Sequence, residues 1–83
     1  MEIGTLVAIF DMFFPDKQYQ ITIDKFDTLL TAVVDNKKYS VEYDQEENHL
    51  QAWSIDLNER FSINYIIEGS PEDIIKLAKI LEQ

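Results

Sequence analysis

The sequence predicts an α+β fold, an antiparallel β-meander of five to six strands with one C-terminal helix packed on its apolar face. Three observations predict it. Four segments alternate apolar and polar residues with the period of two that marks half-buried strands. Clusters of turn-forming residues separate those segments, and the C-terminus carries a capped helical pattern. Eighty-three residues make a single domain, 1–83, with room for one core. At 46% hydrophobic and 12% aromatic residues, the chain can fill that core without cross-links.

The first segment is ambiguous in period. Ile3, Leu6, Val7, Phe10, Phe13 and Phe14 fit a helical stripe. Yet the run is apolar nearly all round and rich in Phe and β-branched residues, as in a buried central strand. A strand is expected, a helix is the alternative, and Phe14-Pro15-Asp16-Lys17 is read as its turn. Tyr19, Ile21 and Ile23 then alternate with Gln18, Gln20, Thr22 and Asp24. Phe26 to Val34 has apolar residues at 26, 29, 30, 33 and 34 behind Asp24 and Asp27, which fits a capped helix. Its Thr and Val content favours a strand instead.

Tyr39, Val41 and Tyr43 alternate with Ser40, Glu42 and Asp44. Trp53, Ile55 and Leu57 alternate with Ala52, Ser54 and Asp56, and Phe61, Ile63, Tyr65 and Ile67 with Ser62, Asn64, Ile66 and Glu68. The first-named set of each strand is expected to face the core. Turns are read at Asp35 to Lys38, Asp44 to Asn48 and Leu57 to Arg60, where short polar side chains bond their own backbone. Their lengths suit hairpins. The closing helix has Ser70 as N-cap, Pro71 at the first helical position and Glu72 and Asp73 at the positive end of its dipole. Ile74, Ile75, Leu77, Ala78, Ile80 and Leu81 form its broad apolar face.

Chemistry-bearing motifs are few. The chain has no cysteine, which removes disulfides, thiolate nucleophiles and zinc-thiolate sites together. Its one histidine, His49, stands beside an acidic turn and reads as a solvated residue rather than a general base. Asp11 interrupts an apolar run, and a solvent-facing or lysine-paired carboxylate is expected there rather than a catalytic one. Asp44 to His49 resembles the start of a calcium loop, but His49 stands where that loop needs Gly and Ile55 where it needs a bidentate Glu. With two glycines and no Lys-Ser/Thr after either, no phosphate-cradling loop is present. No catalytic residue, cofactor or metal is expected, and the protein is read as not an enzyme.

Charge carries the functional content. Sixteen acidic residues against seven basic ones give a formal charge of −9 and a sequence pI near 4.3. Nucleic acid and anionic membrane bind proteins through Lys and Arg, so this balance disfavours both as direct partners. From Tyr39 to Glu59 the sequence has six acids and no lysine or arginine. Alternation places Glu42, Asp44, Asp56 and Glu68 on one polar sheet face, with Asp24 beside them. Carboxylates a two-residue step apart, about 7 Å, match the spacing of phosphates along a nucleic-acid strand.

The expected partner is therefore a protein, basic or nucleic-acid-binding, contacted by Glu42, Asp44, Glu46, Glu47 and Asp56, with Tyr43 or Trp53 as aromatic anchors if they are not core residues. The expected function is non-enzymatic inhibition of a nucleic-acid-acting protein through a DNA-mimicking face. Toxin neutralisation, or service as a small adaptor using apolar surface residues such as Ile66 or Leu50, is the alternative. In size, acidity, lack of cysteine and sheet-plus-helix pattern the chain resembles phage-encoded anti-defence inhibitors of host nucleases and glycosylases, and small immunity proteins. That resemblance is one of composition and carries no residue over. Met1-Glu2-Ile3 opens without the basic region of a secretory signal and the longest apolar run is too short for a bilayer, so a cytoplasmic location is expected. An exposed edge strand would permit a homodimer.

Overall fold

The computed structural model describes residues 2–14, 20–58 and 62–81. In chain order these form helix α1 (Ile3–Phe13), strands β1 (Thr22–Ile23), β2 (Leu29–Val34), β3 (Lys37–Asp44), β4 (His49–Asp56) and β5 (Ser62–Gly69), and helix α2 (Pro71–Leu81). The strands make one antiparallel sheet in the order β1-β2-β3-β4-β5, a meander. Helix α1 lies over β2 and β3, α2 over β4 and β5, and the two helices touch. The shortest dimension of the molecule, 22 Å, is that of one helix layer on one sheet.

The N-terminal segment is a helix and not the expected strand. Thr5 and Leu6 donate their N–H groups to the Glu2 carbonyl at 3.0 and 3.3 Å, and Phe14 closes the last turn onto Phe10 at 2.8 Å. Phe14 itself has left helical geometry, at φ −128°. It precedes Pro15, whose ring disfavours the helical region for the residue before it. The all-round apolarity that pointed to a strand has another cause: α1 faces two neighbours, the sheet and α2. Leu6, Ile9 and Phe10 are buried, while Ile3, Val7 and Phe13 pack at the margins of the same core.

Over the first hairpin, β1 is limited to Thr22–Ile23, and Gln18 and Tyr19 of the expected strand lie outside the described residues, as do 15–17 of the expected turn and 59–61. The 26–34 segment does contain a strand, from Leu29. The turn before it is built on Asp24, which accepts N–H groups from Thr28 at 2.7 Å and Leu29 at 2.9 Å and the Thr28 hydroxyl at 3.0 Å. Asp35 and Asn36 form the two-residue β2–β3 loop, both with positive φ, 51° and 64°. This is the backbone of a type I′ turn, whose twist matches the flanking strands.

The core rows run straight across the sheet. Leu30, Val41, Ala52 and Ile67 are register partners in one row, and Ala32, Tyr39 and Ser54 in the next. Phe14 packs on Tyr39 with the rings tilted, 4.8 Å between centroids, and meets Phe10 edge-on at 5.0 Å. From α2, Ile74 and Ala78 enter the core. Ser70 caps that helix, its hydroxyl accepting the Asp73 N–H at 3.3 Å.

Strand β4 faces the opposite way from the sequence expectation. Ala52 is fully buried under the helices, whereas Trp53 and Ile55 point to the uncovered face. Helix α2 lies over this part of the sheet, and Val41 and Leu50, both fully buried, share the core with Ala52. Leu50, expected as a surface residue, is fully buried as well. Between Ala52 and Trp53 the β4–β5 register shifts, so that Ile67 opposes Ala52 but Tyr65 opposes Trp53. Past that step Ile63 pairs with Ile55 on the uncovered face and is 53% exposed, not in the core with Ile67.

Candidate protein-docking surface

The helices cover one sheet face; the other is uncovered among the described residues. Hairpin register arranges it in rows. The first row pairs Asp44 with His49. The second runs Leu29, Glu42, Gln51, Glu68, the third Thr31, Ser40, Trp53, and the fourth Val33, Lys38, Ile55, Ile63. Acidic and polar groups thus occupy the end near the β3–β4 turn. Large apolar groups occupy the far end, with Val33 at 58% and Ile63 at 53% exposure.

Local bonding fixes the acidic end. The Gln51 amide donates to Glu68 Oε2 at 3.1 Å, and His49 Nε2 lies 3.5 Å from the same oxygen. Glu42 is exposed in the middle of the row, about 10 Å from Glu68 across two strand spacings. Asp44 also builds the turn, its Oδ1 accepting the N–H groups of Glu46 at 3.0 Å and Glu47 at 3.3 Å. That brings Glu46 and Glu47, both exposed, beside the row. Asn48 completes the turn at φ 49° and accepts the Tyr43 hydroxyl at 2.9 Å.

Asp56 does not join this group. It opposes Lys37 at the far end of β4, has the register parity of Ala52 and Ser54, and accepts the Asn58 N–H at 2.9 Å. The inversion of β4 that brings Trp53 to the open face carries Asp56 to the other one, away from Glu42. Asp24 also serves a turn, so its carboxylate is a structural acceptor rather than part of the row. Tyr43 packs against the core, while Trp53 stands half-exposed on the open face. Ile66 is described in its backbone only.

Two grooves flank Glu42. One, of about 450 Å³, is lined by Phe26, Thr28, Tyr43, Asp44 and Glu46. The other, of about 380 Å³, is lined by Gln51, Trp53, Ile55 and Ile63. Phe26 is 71% exposed, and the Lys25 ammonium sits 5.0 Å above its ring.

The apolar half of the surface, Trp53, Ile55 and Ile63, is what sequence reasoning missed. A signal was available. With Asp44 and His49 closing the β3–β4 hairpin, Val41 must oppose Ala52 and Tyr43 must oppose Leu50. The parity of β3 therefore transfers to β4, and Trp53 falls on the side of Glu42.

His49 has the Glu68 carboxylate as a neighbour, and Asp11 is half-exposed on α1. Among the described residues, no three acidic or histidine side chains gather with metal-binding geometry. No described helix is long and apolar enough to cross a membrane. Compared with protein-family models, curated proteins and solved structures, the chain matches none.

Proposed function

We propose that the protein is a non-enzymatic binding domain that inhibits a basic, nucleic-acid-acting protein by occupying its nucleic-acid surface. One observation carries the reading: Glu42, Asp44, Glu46, Glu47 and Glu68 gather at one end of an uncovered sheet face, in a stretch without lysine or arginine from Tyr39 to Glu59. Glu42, Asp44 and Glu68 stand on strands and Glu46 and Glu47 on the turn beside them, and carboxylates gathered in this way offer a field like that of a phosphate array. The test is charge reversal at Glu42→Lys with Glu47→Lys, which spares Asp44 because Asp44 holds the turn. Wild-type protein on a resin should retain a host protein that added duplex DNA or 0.5 M-range salt releases, salt screening being about 3 Å at 1 M. The reversed variant should retain none of it, with an unchanged circular dichroism spectrum. Retention that ignores both DNA and the reversal overturns the reading.

The apolar half of the same face favours a second reading, a toxin-neutralising or adaptor role. Val33, Trp53, Ile55 and Ile63 offer an anchor patch whose affinity would depend little on salt.

A further inference from the structure

Between the acidic and apolar halves lies the groove of Glu42, Gln51, Trp53, Ile55 and Ile63, and its chemistry is narrower than its charge. Glu42 supplies an exposed carboxylate on β3. Trp53 is its diagonal neighbour on β4, two positions beyond the register partner Gln51, a separation of about 7–8 Å that a long side chain spans. Gln51 has its amide N–H directed to Glu68, which leaves the amide's carbonyl oxygen as an acceptor. Ile55 and Ile63 provide an apolar wall. Beside Trp53 the sheet is sealed, because its register partner Ser40 is only 1% exposed.

A ligand that matches all of these is cationic, planar at its head and aliphatic along its stem. We propose that this groove receives an arginine side chain of the basic partner, its guanidinium stacked on the Trp53 indole and paired with the Glu42 carboxylate, its methylenes against Ile55 and Ile63. Arginine fits better than lysine for stated reasons. The guanidinium is flat, weakly hydrated and forked, so it stacks on an aromatic face and bonds a carboxylate through two N–H groups at once. An ammonium does neither as well. Charge complementarity also excludes a nucleic-acid occupant, since the groove presents carboxylate and carbonyl oxygens. This inference rests on the protein-binding reading above and specifies the partner's chemistry at one point of that surface.

Trp53 is the only tryptophan in the chain, so its emission reports this groove alone. The probes are two acetylated, amidated pentapeptides, Ala-Leu-Arg-Leu-Ala and its lysine counterpart. The arginine peptide should change Trp53 emission saturably, in the millimolar range expected of a single side-chain anchor. The lysine peptide should bind about tenfold more weakly. Glu42→Gln, a change at an exposed residue, should weaken the arginine peptide by about fivefold and flatten its salt dependence. No saturable change, equal response to both peptides, or an unaltered Glu42→Gln variant overturns the assignment. The two readings separate with the retained host protein: if charge reversal abolishes its binding but Trp53→Leu leaves it intact by calorimetry, the groove assignment fails and the acidic-surface reading stands. If the arginine peptide binds as described while retention ignores charge reversal, the groove stands and the inhibitor reading fails.

Discussion

Asp24 accepts three hydrogen bonds from Thr28 and from Leu29, the first residue of β2, and these hold its carboxyl below the usual carboxylate range. The Leu29 N–H is the largest cause, with the Thr28 N–H and hydroxyl adding to it, against some desolvation. The folded value lies below the unfolded one. Asp24 thus contributes stability at pH values above the unfolded value, and the contribution is lost as pH falls through the folded one. Asp24→Asn removes this titration, so the urea midpoint of wild-type protein should fall more steeply between about pH 5 and pH 3 than that of the variant. Parallel profiles would assign the acid limb to other carboxylates. Asp44 and Asp56 also accept turn backbone, Asp44 from the Glu46 and Glu47 N–H groups and Asp56 from the Asn58 N–H. Their place in turns was legible from composition; that the turns would claim these carboxylates was not, because a carboxylate reads alike in sequence whether it caps a turn or waits for a partner.

At the scale of elements, the β2–β3 hairpin is closed by Asp35 and Asn36 in left-handed backbone, a conformation that glycine adopts without a side-chain penalty. Asn36→Gly should raise unfolding stability by about 0.5 kcal/mol, read as a shift in urea midpoint at constant slope. A decrease would mean that the Asn side chain makes a compensating bond. This turn, strands β3, β4 and β5 and the capped α2 were legible from period, turn chemistry and capping, whereas β2 was favoured over a capped helix on its Thr and Val content alone. Helix α1 was not, because apolarity on several sides marks a buried strand and a helix with two neighbours alike. The inversion of β4 had a different origin. Bulk suggested Trp53 and Ile55 for the core over Ala52 and Ser54, while the hairpin register obliges the smaller pair to face the helices.

For the whole molecule, a net charge of −9 on 83 residues works against compaction. Raising NaCl from about 0.01 M to about 1 M shortens the screening length from roughly 30 Å to 3 Å. The calorimetric Tm should rise by several degrees, and more than that of the Glu42→Lys, Glu47→Lys variant, which carries four fewer net negative charges. Equal increments would show that repulsion at the acidic end is minor. The sheet that bears this charge has unequal borders: β1 has two residues, β5 eight. Near the longer border lies the register shift between Ala52 and Trp53, which acts as a change of parity. On one side of it an odd-numbered residue, Ile67, belongs to the interior; on the other, odd-numbered Ile63 belongs to the solvent. A one-residue insertion or deletion in β5 would exchange inside for outside along half the strand, so descendants of this sequence are free to vary the letters of that strand far more than its length.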